Sequence, residues 1–281
     1  MPVDYAKATR WIRKELNSLR QLREDQDYLA QNRVKVEAYA EGRGTLGAAT
    51  TGLLVLAGYH GSTGCMRVLN GHEDGWFQVD QSCLYLSWRI RLLAWAYDAD
   101  SRPDKQARTN LDGAANVWTH VEALGASGLR DWLDRRLRKI DAGDASLGGK
   151  DMNALVALVA HFVTGKDPAA LKRSGWADIG PYRQVASGAL RPEEYDELAE
   201  YHTRQVTDSG FPAFDRYPYR LIPFELFAVE KRTEVPIEKP QHPLLTSPLA
   251  VRREVREIPV PDDLRRVIDR ARAELAPASD W

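Results

Sequence analysis

Apolar side chains recur along this chain with the spacing of one face of an α-helix. Ile12, Leu16, Leu19 and Leu22 lie at offsets of 0, 4, 7 and 10 residues, with arginine and glutamate between them. This spacing is typical of a helix with one apolar stripe and polar remaining faces. The pattern returns in three later segments, at Leu84, Trp88, Leu92 and Trp95, at Leu129, Trp132, Leu133, Leu137 and Ile140, and at Leu264, Val267, Ile268, Ala271 and Leu275. We therefore predict four helices with apolar stripes, the last beginning after Pro261, because proline and the carboxylates that follow it suit a first helical turn.

Three further segments predict helices of other kinds. Residues 152–163 are apolar nearly all round, which is typical of a helix in the middle of a bundle, and Asp151 is its candidate N-cap. Residues 191–208 predict a helix that is polar on most of its surface, and residues 221–231 predict another. The helical content is therefore expected to be high in both halves of the chain.

Strand signals are few. Residues 34–38 alternate between apolar and polar as a strand would, but the helix-forming residues on both sides favour a helix. Asn70-Gly71 has two interpretations: it turns a hairpin between residues 66–69 and 76–79, or it ends one helix before the next begins. The predicted fold is an all-α, multi-helix bundle with at most a minor β-hairpin.

A long proline-rich segment, residues 233–260, precedes the last predicted helix. A stretch of this length without regular structure is usually packed as an extended tail or is functional. We predict a single helical domain over residues 1–281. The Gly- and Asp-rich run 141–150 is where an N-terminal half, 1–145, and a C-terminal half, 146–281, would divide.

Composition indicates a globular protein and excludes several classes. Of 281 residues, 43% are hydrophobic and 28% charged, which supports a sizeable core and argues against general disorder. The formal net charge of −1 is neither the basic excess of a nucleic-acid binder nor the acidic excess of a DNA mimic. Two cysteines, Cys65 and Cys83, do not make a secreted disulfide scaffold. The chain begins without a signal-peptide pattern, and its apolar run 53–59 is too short to span a bilayer. We expect a soluble, cytoplasmic protein with no direct partner in nucleic acid or membrane.

Three short motifs approach catalytic or nucleotide-binding patterns. Residues 42–47 match G-x-G-x-x-G, but no confident strand precedes them and no acidic residue follows about 20 residues later, so we interpret them as a Gly-rich break between helices. Residues 160–167 lack the first glycine and the final hydroxyl of a phosphate loop. Residues 60–64 carry His60 where a nucleophile elbow needs glycine, and we interpret them as a flexible loop. The sequence therefore predicts no catalytic residues and no cofactor, and we expect a protein that is not an enzyme.

The histidines show no local zinc pattern. No two are spaced as in H-E-x-x-H, and the chain contains no C-x-x-C. We predict no metal site, and His161, in an apolar helix, is interpreted as a hydrogen-bonded core histidine. The six are His60, His72, His120, His161, His202 and His242.

An acidic cluster and an aromatic loop are the candidate partner-binding features. The clustered carboxylates either form a solvated helix face favoured by the helix dipole or an acidic patch that meets a basic partner. The aromatic rings either anchor their loop in the core or supply the hot spot of an interface. The acidic residues are Glu193, Glu194, Asp196, Glu197 and Glu200, and the aromatic residues are Phe211, Phe214, Tyr217 and Tyr219.

Two segments of the C-terminal third resemble the ending of bacterial immunity proteins of the immunity-49 type. They are the run Leu-Ile-Pro-Phe-Glu-Leu-Phe-Ala-Val-Glu-Lys-Arg at residues 221–232 and the His-Pro-Leu-Leu run at residues 242–245. The Trp-rich helix over residues 84–97 is compatible with the same group. The likeness covers the last 70 or so residues.

The resemblance implies a cytosolic protein that neutralises a co-encoded polymorphic toxin. Such toxins are often nucleases delivered by type VI secretion, and the immunity protein covers or distorts the toxin's active site. The family brings no catalytic residues to this chain, and the His242-Pro243-Leu244 run is implied to be structural. The near-neutral charge stands against the strong acidity common in nuclease inhibitors. The alternatives are a helical adaptor or scaffold with a housekeeping partner, and an enzyme with a dispersed site that uses histidines or residues 42–47.

Overall fold

The fold is a bundle of α-helices, as the apolar periodicity predicts. A computed structural model describes residues 3–22, 25–99, 109–140, 144, 147–148, 153–167, 179–207, 214 and 216–275. Within these ranges the helices are α1 Tyr5–Arg20, α2 Gln26–Ala40, α3 Leu46–Leu69, α4 Gly75–Ala99, α5 Leu111–Leu124, α6 Ser127–Arg138, α7 Ala154–Thr164, α8 Arg183–Ala186, α9 Tyr195–Thr207, α10 Phe224–Thr233 and α11 Asp262–Leu275. Two short strands, β1 Thr109–Asn110 and β2 Leu147–Gly148, pair in parallel with Thr109 opposite Leu147.

Short polar side chains begin five of these helices in the same way. Each accepts a hydrogen bond from the backbone N–H three residues later, which satisfies one of the unpaired donors of a first turn. At their far ends α5 and α7 stop at Gly125 and Gly165, both in the left-handed conformation. The capping residues are Asp4, Asp25, Thr45, Asn110 and Asn153.

The two longest helices, α3 and α4, approach most closely at a pair of glycines next to the turn that joins them. A Cβ added at Gly64 of α3 would lie 2.7 Å from the carbonyl oxygen of Gly75, and one added at Gly75 would lie 2.6 Å from that of Gly64. The helices therefore touch backbone to backbone. Gly52 and Gly61 bring α3 equally close to Asn32 of α2 and to Tyr217.

Two predictions about local structure are wrong. Residues 60–64, interpreted as a flexible loop, lie in the middle of α3, where tertiary burial outweighs the low helix propensity of glycine. Asn153, whose side chain accepts from Val156, is the N-cap of α7; the earlier candidate, Asp151, lies outside the described residues. At Asn70-Gly71 the helix-to-helix alternative is confirmed, because Asn70 ends α3 and α4 begins at Gly75.

The proline-rich segment is a packed extended tail. Residues 234–261, which we call the strap, connect α10 to α11 without helix or strand. Its buried side chains include Ile237, His242, Leu244 and Leu249, and Gln81 of α4 donates to the carbonyl oxygen of Pro259 at 2.8 Å. The strap is thereby joined to the cluster of buried side chains that also draws on α3, α4, α5 and α10. Over the described residues, we find no helix with the length and apolar character needed to cross a membrane.

Candidate functional site

An aromatic groove lies where α4, α5, α10 and the strap meet. It has a volume of about 250 Å³. Its apolar walls come from Trp76 at the start of α4, Leu124 at the end of α5, Phe224 and Phe227 on α10, and Val251 on the strap. Val251 is 44% exposed, so the groove opens to solvent. We call this the Trp76 groove; it combines aromatic side chains in a concave site, the composition expected of a ligand or partner pocket.

Charged side chains frame the Trp76 groove in compensated pairs. The guanidinium of Arg253 lies 4.8 Å from the centre of the Trp76 ring, a cation–π distance. Arg252 binds Glu230 of α10 and lies 6.0 Å from the ring centre of Phe227. The backbone N–H of Val255 donates to the carbonyl oxygen of Leu124 at 3.0 Å, which fixes the strap against the end of α5. The groove is therefore shaped before any ligand arrives.

A buried ion pair anchors the groove from below. Both carboxylate oxygens of Asp80 accept from Arg253, at 2.8 and 2.6 Å, and the Asp80 side chain is 5% exposed. Burial alone raises the pKa of Asp80, but His120 and Arg253 outweigh it and hold that pKa below its usual value. The carboxylate is thus charged at neutral pH and ties the strap to α4.

His120 lies behind the groove and is fully buried. Its ring stacks on Phe224 at a centroid distance of 3.6 Å, and its Nε2 lies 3.7 Å from an oxygen of Asp80. Burial lowers the pKa of His120, against the opposing charge of Asp80. A neutral imidazole in this position is a packing element of the groove floor.

The predicted acidic cluster does not form one surface. Glu193 and Glu197 are exposed, whereas Glu200 is buried, binding Arg204 at 2.8 Å and lying 3.4 Å from Nε2 of His242. Glu194 accepts from the backbone N–H of Arg191 and so caps its own turn. Asp196 accepts from the hydroxyl of Tyr5 at 2.9 Å and from the backbone N–H of His242 at 3.1 Å. Glu200 is therefore corrected from a contact residue to a core residue.

The predicted aromatic loop is anchored inward where the structure describes it. Phe214 is 1% exposed and stacks on His202 at 4.1 Å, and Tyr219 is 3% exposed. Tyr217 is half-buried and donates to Glu15 at 3.2 Å. Phe211 lies outside the described residues. Burial excludes Phe214 and Tyr219 as hot-spot residues, because a partner cannot reach them.

The histidines and the glycine run are also placed. His161 is half-buried at the end of α7, with Nδ1 3.0 Å from the carbonyl oxygen of Lys166. Residues 42–45 lie in the turn between α2 and α3, with Thr45 as the N-cap, and residues 46–47 begin α3, so the interpretation as a Gly-rich break between helices is confirmed. Among the described residues, no three His, Cys, Asp or Glu side chains are grouped so that they could hold a metal ion.

Sequence reasoning missed the Trp76 groove because its lining is distant in the chain. Trp76, Phe227 and Val251 come from three elements, and none belongs to a periodic motif. A faint signal existed in Arg252-Arg253, two adjacent cations that follow the apolar run 248–251 of the proline-rich segment.

The lowered pKa of His60 is expected to make the folded protein less stable in mild acid. Its half-buried ring stacks on Tyr85, and desolvation, helped by the charge of Arg33, lowers its pKa to about 4 despite the opposing charge of Asp263. Since the unfolded chain binds its proton near pH 6.5, this contribution is complete above that pH and is lost as the pH falls towards 4. The free energy of unfolding should fall between pH 7.5 and pH 5 in the native protein. We expect this fall to be smaller by about 2 kcal/mol in His60→Gln.

Chemical denaturation at several pH values measures this effect. His72→Gln is the matched control, because His72 is exposed in the turn before α4. Equal pH dependence in the two variants would contradict a half-buried His60 that stays neutral in the folded protein.

Comparisons with known proteins find no relative: no family model, no curated protein and no solved structure matches this chain.

Proposed function

We propose that this chain is an immunity-type protein that binds a cognate bacterial toxin and blocks it by covering or distorting its active site. The observation that carries the proposal is the Trp76 groove, a preformed aromatic cleft with a charged rim. Phe224 and Phe227 are 4% and 7% exposed and form its floor, so the half-buried Trp76 and the exposed Val251 are the side chains that a partner would contact. Interfaces derive much of their binding energy from a few such anchors surrounded by polar groups.

The resemblance to immunity-49-type proteins supports the same surface. Residues 221–232, which carry the likeness, contain most of α10, and α10 supplies Phe224, Phe227 and Glu230 to the groove. The second segment, residues 242–245, lies in the strap, whose later residues form the opposite wall. Both segments of the likeness therefore belong to elements that build the Trp76 groove.

The proposal extends to a secreted nuclease effector as the toxin, as the resemblance implies. The groove itself carries cations and carboxylates in near balance, with Lys231, Arg252 and Arg253 beside Glu230 and Glu254. This balance favours no single toxin chemistry, so the experiment below tests binding and neutralisation without assuming nuclease activity.

Val251→Glu is expected to weaken binding of the toxin by roughly tenfold or more, because it buries an unpaired carboxylate in the centre of the interface. The partner to use is the product of the adjacent gene, co-expressed and purified with this chain. The measurement is the Kd of the complex together with the growth of cells that express the toxin. Val34→Glu is the matched control, since Val34 is 60% exposed on α2, outside the groove.

Three outcomes contradict the proposal in different ways. A neighbouring gene product that neither binds this chain nor arrests growth would remove the immunity function. A stable complex that leaves growth arrest unchanged would favour the adaptor alternative. A complex that tolerates Val251→Glu as well as Val34→Glu would place binding outside the Trp76 groove.

A further inference from the structure

The outward face of α1 is uniformly basic. Five cations lie on it, all exposed, and we call them the α1 basic face: Lys7, Arg10, Arg13, Lys14 and Arg20. Glu15, the single carboxylate within α1, points inward, is 8% exposed, and binds Arg220 at 2.7 and 2.9 Å. The helix therefore presents one sign of charge over its 16 residues, a length of about 24 Å.

This arrangement is unfavourable for the isolated fold. Arg10 is three residues from Lys7 and four from Lys14, and like charges at these spacings repel one another on a helix surface. None of the five cations forms an ion pair with a residue that the structure describes. Since the chain as a whole has a net charge of −1, the segregation is not a consequence of a basic composition. A negatively charged partner would relieve the repulsion.

An apolar groove runs along the basic face. Its volume is about 220 Å³, and it is lined by Ile12 and Leu16 of α1 and by Pro243 of the strap, with Arg13 and Arg20 at its edge. Pro243 is held in place because the preceding His242 is fully buried and its backbone N–H donates to Asp196. The groove beside α1 therefore combines an apolar floor with a cationic edge in one rigid site.

We propose that the α1 basic face is a docking site for an acidic segment of a partner protein, which inserts an apolar side chain between carboxylates that bind Arg13 and Arg20. Charge complementarity of this kind speeds encounter and selects the partner, and the apolar side chain supplies the anchor. This surface shares no residue with the Trp76 groove, so the proposal does not rest on the proposed function.

Two features favour an acidic protein over other polyanions. The basic face is bounded at its N-terminal end, where Tyr5 binds Asp196, so a continuous phosphate backbone would meet a carboxylate there. The apolar side chains of α1 are largely covered, with Ile12 5% and Leu19 1% exposed and Leu16 half-buried, so α1 offers a narrow groove and not a broad apolar face that could insert into a lipid surface.

The test measures binding of a short fluorescent peptide that carries one leucine flanked by glutamates, by anisotropy at low and physiological salt. We expect Arg13→Gln/Arg20→Gln to weaken binding roughly tenfold, and the peptide with glutamine in place of leucine to bind several-fold more weakly. Arg135→Gln/Arg138→Gln on α6 is the matched control, since it removes two exposed cations elsewhere and is expected to change binding less than about twofold.

Three results would overturn the proposal. Equal losses in the α1 and α6 double variants would show that binding is unspecific attraction. Tighter binding of duplex DNA than of the peptide, lost in the α1 variant, would assign the face to nucleic acid. Binding of anionic lipid vesicles with the same loss would assign it to a membrane surface. Circular dichroism of each variant confirms that the exposed substitutions leave the fold intact.

Discussion

Replacing Arg253 by methionine is expected to lower the free energy of unfolding by about 3 kcal/mol at pH 7, because it leaves the Asp80 carboxylate buried without its partner. Asp80 is 5% exposed and Arg253 holds both of its oxygens. Methionine keeps most of the apolar stem of the side chain and lacks the guanidinium group, so the loss reports the missing charge and its hydrogen bonds to Asp80. Chemical denaturation followed by tryptophan fluorescence measures it.

Two companion variants separate the buried charge from other causes. Asp80→Asn combined with Arg253→Met removes both charges, and we expect this pair to be more stable than Arg253→Met alone. Arg252→Met breaks the neighbouring pair with Glu230, but Arg252 is 54% exposed, so the expected loss is at most about 1 kcal/mol. Equal losses for the Arg252 and Arg253 variants would contradict a buried anchor.

The pH dependence gives a further signature of the same anchor. In the native protein the pKa of Asp80 is held below its ordinary value, so its stabilising contribution is present above about pH 4 and is lost as the pH falls through the folded-state pKa. Without Arg253, burial raises that pKa, and protonation at lower pH then relieves the buried charge. The difference in the free energy of unfolding between the native protein and Arg253→Met should therefore become smaller as the pH is lowered.

Gly64→Ala is the second large effect, an expected loss of about 2 kcal/mol. The added methyl carbon would lie 2.7 Å from two backbone atoms of α4, the carbonyl oxygen of Gly75 and the nitrogen of Val79. Neither atom can rotate away, so α3 and α4 must separate. Overpacking of this kind costs about 1–3 kcal/mol or more, and the gain in helix propensity, about 1 kcal/mol, offsets only part of it.

Gly58→Ala is the control in the same helix. A Cβ at Gly58 meets no atom within 4 Å, so the substitution gains helix propensity without a clash. We expect it to raise stability by up to about 1 kcal/mol. If Gly64→Ala proved as stable as Gly58→Ala, the backbone contact between α3 and α4 would not be a constraint on the bundle.

The segment that contains Gly61 and Gly64 is a part of the fold that the sequence did not predict. The stripes of α1, α6 and α11 were predictable, because a periodic apolar pattern already states which face is buried. The His-Gly-Ser-Thr-Gly run of α3 was not, since its glycines and small polar residues oppose helix by propensity. The run is nevertheless helical because it is packed inside the bundle. Glycine is needed at positions 61 and 64 because the backbones of Tyr217 and Gly75 lie too close for a side chain.

The acidic and aromatic residues predicted to bind a partner show that the sequence also did not identify which side chains are accessible. The sequence does not distinguish a carboxylate that faces solvent, such as Glu197, from one that is buried beside an arginine, such as Glu200. An aromatic residue in a loop likewise reads the same whether it is accessible or buried like Phe214. Burial is decided by neighbours that are distant in the chain, and a single sequence does not name them.

The amino-acid sequence by itself determined the all-α class and the positions of most helices, and it left two alternatives open both at residues 70–71 and for the strap. Those properties follow from local backbone preference and from the 3.6-residue period of apolar side chains. Tertiary structure alone decided that Trp76, Phe227 and Val251 share one groove, that Arg253 reaches Asp80, and that Pro243 lies beside α1. These contacts join residues tens to hundreds of positions apart, and their energy depends on how the helices pack, which no local pattern records.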